Sequence, residues 1–399
     1  MKQLQRSLLQ FSTMIAISLA ILLFPSGNEK QVNGSNWNAY PAPDPGKGLL
    51  TSTFKIRLPL IMAAEQPPTA PPSSLSRYIY SDDWTYLHNT AGCTEGTAAN
   101  PNAFVFLDFG YPWIDTSTNP PSYGVQLLSG IKNLRMNEIE AAAENYLRGY
   151  YACAPSGAHI SVAIGLNNYG DNTQLNYTVG QQWAAMIKRV NDWVLQPPSN
   201  WGDKIVVYGA VDIEPSFGVP NDIIGWIQGY DAYTGRQPYY NFGSCDSCPY
   251  IYGNQDHSNW LLPNGWNQDQ LWYATYGLQS AHVIPEIYTR EDAPETPINY
   301  YPAHEAYQWQ NLKYWGATCS NGCIPSYPPF NAWRNMYFSG VLTQYDACND
   351  PANPQAQACR NNYQDNSPAQ GWVLFWNALA SNTITKQNFS FSTDISWKH

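Results

Sequence analysis

Residues 205–214 read Ile-Val-Val-Tyr-Gly-Ala-Val-Asp-Ile-Glu, and Pro215 follows. A β-branched, apolar run of this length bounded by proline predicts a buried strand. Alternate residues of a strand share a face, so Tyr208, Ala210, Asp212 and Glu214 point one way, and Val207, Val211 and Ile213 the other. An apolar back with two carboxylates at the C-terminal end fits a parallel strand packed beneath helices. Barrel enzymes place their sites at that end of their strands.

Similar runs recur along the chain. FVFLDF (104–109), HISVAIGL (159–166), PYYNFG (238–243), LWYATYG (271–277), HVIPEIY (282–288) and GVLTQY (340–345) are further candidate strands. Between them, 136–151 and 179–195 carry apolar residues at helical spacing, as in Trp183, Ile187, Val190 and Val194, and 221–230 and 304–315 are further helix candidates. Alternation of strand and helix implies parallel strands joined by crossover helices. The expected architecture is an α/β, (β/α)8 TIM-barrel-like single domain over 77–399. Seven strands can be counted, the eighth is not placed, and an open sheet is the alternative. The segment GWVLFW (371–376) could be a last strand. Ser367-Pro368 ahead of it, with Trp372, Phe375, Trp376 and Leu379 at helical intervals, favours a helix with its aromatics in the core.

Acids at strand ends are the candidate chemistry. Two carboxylates close together raise the pKa of one, as a general acid working near neutral pH requires. Asp212 and Glu214 are the first pair, and the bland alternative is an exposed acidic pair or a metal-binding loop. Asp108 in LDFG, Glu286 in IPEIY and Asp346 after TQY lie at other strand ends, where burial without purpose is costly. Singly each is explained as a structural hydrogen-bond partner, whereas together they form a constellation. Tyr208, Trp272, Tyr276, Tyr288 and Asp346 are the expected substrate-binding residues, with core packing as the competing role of the aromatics. His304 with Glu305 opens a helix and reads as surface. No G-x-S-x-G, H-E-x-x-H or phosphate-binding loop occurs, the histidines lack metal-ligand spacing, and no metal or organic cofactor is expected.

The formal net charge of −10 argues against a nucleic-acid partner, which needs clustered Lys and Arg. Charged residues make up only 13% of the chain and aromatics 15%, a balance that suits stacking on sugar rings or simply a large aromatic core. Lys2, Arg6 and the apolar run 14–24 read as an export signal over 1–26. An uncleaved membrane anchor is the alternative, because no clean cleavage pattern follows. Residues 27–76 are rich in Pro, Ser and Gly and read as a linker. Eight cysteines in an exported chain are expected to form disulfides, for which Cys93/Cys153, Cys245/Cys248, Cys319/Cys323 and Cys348/Cys359 are possible pairs. A zinc site from the C-x2-C and C-x3-C pairs is the alternative.

The segment AVDIE is similar to the acidic strand of family 25 lysozyme-like hydrolases and related glycoside-hydrolase-like barrels. LDFG resembles the place of their early Asp, and LWYATY resembles a later strand of theirs. The resemblance implies that Asp108, Asp212 and Glu214 form the acidic site, with Glu214 as general acid. The D-x-E and HISVAIG segments also resemble family 18 chitinases, but Val207 and Ala210 stand where that family carries earlier acids. The expectation is therefore a secreted or cell-surface glycoside hydrolase cleaving a polysaccharide or cell-wall glycan. A non-catalytic carbohydrate-binding or scaffolding barrel is the rival. An extracellular peptidase lacks a recognisable nucleophile or metal motif.

Overall fold

The computed structural model describes residues 66–98, 100–169, 174–250, 261–290, 304–318, 335–350 and 365–397. All fall within the unit Glu65–His399. The expected export signal and most of the expected linker lie outside the described residues. Among the described residues, no helix is long and apolar enough to cross a membrane.

Eight parallel strands form one sheet, nearly closed into a barrel: β1 (Ser74–Tyr78), β2 (Asn102–Asp108), β6 (His159–Asn167), β7 (Ile205–Asp212), β8 (Tyr239–Asn241), β9 (Ala281–Val283), β10 (Gly340–Thr343) and β11 (Phe391–Ser396). The last strand, β11, pairs with both β10 and β1. Parallel bridges Val283–Phe338 and Glu286–Leu342 link the β9 side to the β10 side. The strands that sequence reading did not place are thus the first and the last. β1 is rich in serine, and its first three residues fall within the expected linker. Ser74 and Ser76 turn inward, where their hydroxyls accept from the backbone N–H groups of Phe104 and Phe106.

Helices α3 (Met136–Cys153), α4 (Tyr177–Leu195), α5 (Pro220–Ala232), α7 (His304–Thr318) and α9 (Pro368–Ala380) lie near the expected positions. Ser367 caps α9 through the Gln370 N–H, and Pro368 supplies its first turn, so the aromatics of GWVLFW pack in the core. The expected strand at 271–277 is instead helical: α6 (Gln268–Trp272) continues as a π-wound turn over Tyr273–Gly277. Asn267 and Gln270 form a reciprocal capping box there, a local signal stronger than the β-like composition of LWYATY.

Buried apolar residues divide by face. Val105, Leu107, Val162, Ile164, Val207 and Val211 pack outward against the helices. Phe104, Phe106, Ala163, Ala210, Tyr240 and Phe242 fill the barrel. Phe106 and Phe242 stack at 4.6 Å across it, which requires small residues beside them, Gly165 and Ala210. Above this plug the inward positions turn polar, with Asp108, Asn167 and Asp212 at the C-terminal ends of three neighbouring strands.

Between β2 and α3 the chain inserts an antiparallel sheet of β3 (Tyr111–Asp115), β4 (Ser122–Gln126) and β5 (Asn133–Arg135). Gly110 makes the turn into it with φ of +105°, and a Cβ there would lie 2.5 Å from the Gln126 carbonyl. Disulfide Cys93–Cys153 ties α3 to α2 (Cys93–Thr97), which continues the π-wound helix α1 (Tyr86–Gly92). Cys245 and Cys248 pair with each other and Cys348 is also oxidised, so the C-x2-C pair is a disulfide rather than half of a zinc site. Cys319, Cys323 and Cys359 lie outside the described residues.

Candidate active site

The end of β7 is held extended beyond its ladder by two asparagine side chains. Asn241 Oδ1 accepts from the Ile213 N–H at 3.1 Å. Asn168 accepts from the Glu214 N–H at 3.1 Å and donates to the Glu214 carbonyl at 3.0 Å. Both asparagines are fully buried. These amides replace strand pairing where the sheet splays open, and Asp212 and Glu214 remain on one side. Gly243 passes behind them, where a Cβ would meet the Ile213 carbonyl at 2.4 Å and Asp212 Oδ1 at 2.5 Å.

Asp212, Glu214 and Glu286 converge, each offering an oxygen within 4.8 Å of the others. Glu214 and Glu286 face each other across the cluster, and two carboxyls this close favour a proton on one of them. The Tyr288 hydroxyl donates to Glu286 Oε1 at 2.7 Å, and Tyr78 lines the cleft with it. Asp212 and Glu286 are buried, whereas Glu214 is half-buried. Burial, followed by the charges of neighbouring acids, pushes all three well above the ordinary carboxylate range. Asp108, fully buried, is raised to about 7 by burial against the opposing hydrogen bonds of the Gly110 N–H and the Asn167 side chain. Its second oxygen, Oδ2, has no hydrogen-bond partner, and neither does Asp212 Oδ1.

Asp212, Glu214 and Glu286 open on a cleft of about 450 Å³ at the C-terminal mouth of the barrel. Tyr288 lines the cleft together with Tyr78, Tyr111, Tyr169, Phe217 and Trp397. Trp397, just past β11, stacks on Tyr78 at 4.0 Å. A larger hollow of about 540 Å³ runs along α9 beside Arg290, but none of its described lining residues is an acid.

Several expected site residues lie elsewhere. Trp272 is buried under the helical layer beside Trp315, because its segment is helical, and Tyr276 is buried with it. Tyr208 does face inward, but four residues below Asp212, where it packs on Phe104 and Tyr240 under the aromatic plug. Asp346 sits in the first turn of α8 (Tyr345–Asn349) and accepts from the Ser396 hydroxyl at 2.6 Å. Glu305, expected at the surface, instead lines the cleft. It accepts from the Thr289 N–H at 3.0 Å and hydroxyl at 2.8 Å, and burial raises it to about 7. Sequence reading also missed Asn168, Asn241 and Trp397. The only traces of them are the Asn-Asn and Asn-Phe-Gly that end two strand runs, and a Trp closing STDISW.

The arrangement can hold and deliver a proton. Its three carboxylates could also bind a hard cation such as Ca²⁺ or Mg²⁺ through oxygen, and no His or Cys belongs to the set. No protein-family model, curated protein or solved structure matches the chain.

Proposed function

We propose that this chain is an exported glycoside hydrolase on a (β/α)8 barrel, acting on a polysaccharide or cell-wall glycan, with Glu214 as proton donor and Asp212 as its carboxylate partner. The observation that carries the reading is the convergence of Asp212, Glu214 and Glu286 within 4.8 Å at the mouth of a parallel barrel. Carboxyl groups this close, and this buried, cannot all ionise at neutral pH. Glu214 is the most open of the three and can pass its proton to a glycosidic oxygen. Asp212 then faces the positive charge that develops at the anomeric carbon, while Glu286, fixed by Tyr288, and the buried Asp108 keep the cluster protonated. Retaining enzymes separate their two carboxyls by about 5–5.5 Å and inverting enzymes by about 6.5–9.5 Å, so the short span here favours retention. The oxidised cysteines support export.

A non-catalytic glycan-binding barrel is the second reading, favoured by the near-complete burial of Asp212 and Glu286. Hydrolysis of a glycan panel that includes peptidoglycan and chitin separates the two. Wild-type activity that disappears in Glu214→Gln, with the circular dichroism unchanged, establishes the hydrolase and its acid. Activity undiminished in that variant rejects the assignment. Binding without hydrolysis of any panel member favours the second reading.

A further inference from the structure

The cleft is two-sided. Trp397 follows β11, whereas Tyr111, Tyr169 and Phe217 follow β2, β6 and β7. Going round the barrel from β11 through β1, β2 and β6 to β7 passes half of its eight strands, so Trp397 and Phe217 stand on opposite sides of the mouth. Aromatic rings run along this half. Trp397 lies 5.3 Å from Tyr80, Tyr111 lies 5.2 Å from Tyr169, and Tyr169 lies 5.1 Å from Phe217. The other half presents polar groups, among them Ser244, Asp246, Glu305 and Gln344. The inserted sheet β3–β5 supplies Tyr111, and Leu128 just beyond β4 lines the cleft beside it. Lys132 at its edge is paired with Asp82, beyond β1, at 2.5 Å, which ties the insert to the rim.

A sugar ring has apolar faces and a hydroxylated edge. An aromatic wall opposite a polar one matches that asymmetry, because faces stack on rings while hydroxyls meet carboxylates and amides. One ring needs one platform. Here the aromatic arc ends in Trp397 on one side and in Phe217 with Tyr169 on the other, half a turn apart, with Asp212, Glu214 and Glu286 lining the same cleft.

We propose that the aromatic wall built by the β3–β5 insert with Tyr169 and Phe217 is a second sugar-binding platform, separate from Trp397, so that the site takes an oligomeric glycan across the acids rather than a single glycoside. The proposal rests on the glycoside-hydrolase reading only for the placement of the scissile bond. The platform itself is a binding claim.

The test uses the full chain carrying Glu214→Gln, titrated by calorimetry with one-, two- and four-ring members of N-acetylglucosamine, glucose and peptidoglycan-derived muramyl series. In the series that binds, affinity rises at least tenfold from one ring to four. Adding Tyr169→Ala or Phe217→Ala removes that gain, lowering four-ring affinity at least tenfold more than single-ring affinity, whereas Trp397→Ala weakens every length. Tyr169→Phe, which keeps the ring, retains the gain and controls for folding. Affinity independent of length, equal loss at all lengths in Tyr169→Ala, or no binding by any series overturns the proposal. Wild-type chain that binds with this length dependence but hydrolyses nothing keeps the platform and removes the hydrolase reading. Hydrolysis of single-ring glycosides with no gain from length does the reverse.

Discussion

Replacing Asp108 by Asn tests the electrostatics of the barrel mouth directly. Asp108 is completely buried, and its carboxyl is raised from 3.8 to about 7, mainly by burial. The unfolded chain releases this proton near pH 4 and the folded chain only near pH 7. Between those values the folded state binds more protons, so its stability falls as pH rises through the window and levels off above it. At 1.36 kcal/mol per pH unit, the gap corresponds to about 4 kcal/mol lost between pH 4 and pH 7. Asn keeps an oxygen for the Gly110 N–H, now at 2.9 Å from Oδ1, and places an amide where Oδ2 has no partner. The variant therefore mimics the protonated acid and does not titrate. It also relieves Asp212, which is raised in part by the charge of Asp108, and the two effects have the same sign. Guanidinium unfolding from pH 4 to pH 8 should show equal stabilities near pH 4, and a variant more stable by up to about 4 kcal/mol at pH 8. Parallel curves, or a wild type that gains stability as pH rises from 4 to 7, would refute the reasoning.

Asn168→Ala removes both hydrogen bonds to the Glu214 backbone and leaves two buried polar groups unpartnered. It should cost about 2–4 kcal/mol in urea unfolding. Glycan turnover should fall with it, because the acid is no longer positioned. Chelation reads the carboxyl cluster from another side: EDTA should change neither activity nor melting temperature, and loss of both would mark Asp212, Glu214 and Glu286 as cation ligands. The Cys93–Cys153 bridge closes a loop with a sequence separation of 60. Replacing both cysteines by serine should lower stability by about 4 kcal/mol, measured by denaturation of the oxidised wild type against the double variant.

What could be read from the sequence follows the strength of the local pattern. β2, β6 and β7 are continuous apolar runs buried on both faces, and their ends, including Asp108, Asp212 and Glu214, follow from alternation alone. β1 and β11 are barrel strands of another kind. Their inward residues include Ser74, Ser76 and Thr393 beside Tyr78, Phe391 and Ile395, with a 2.6 Å hydrogen bond between Ser76 and Thr393, so the polar positions break the apolar run that would set them apart from linker and tail. Trp397 is hidden with β11. The helix at α6 fails in the opposite sense: LWYATY has strand composition, but its capping box sits upstream in Asn-Gln-Asp-Gln. Glu305 is invisible for a third reason, since its role depends on the fold bringing the start of α7 against the backbone after β9.

The grouping of acids at the mouth is expensive for the fold. Asp108, Asp212 and Glu286 are buried in one cluster without a described Lys or Arg among the groups that set their titration. Two buried carboxylate oxygens lack any hydrogen-bond partner. A fold under selection for stability alone would fill these positions with apolar residues, as the plug immediately below does with Phe106, Ala210 and Phe242. The supporting groups point the same way. Asn168 and Asn241 spend buried amides on holding two residues extended beyond a strand, and Gly243 gives up a side chain so that Asp212 can lie against its backbone. Local rules of stability are broken together, at one end of one barrel, around carboxyls that burial and mutual charge push above their ordinary range. That concentration argues for chemistry at the mouth more strongly than any one acid does.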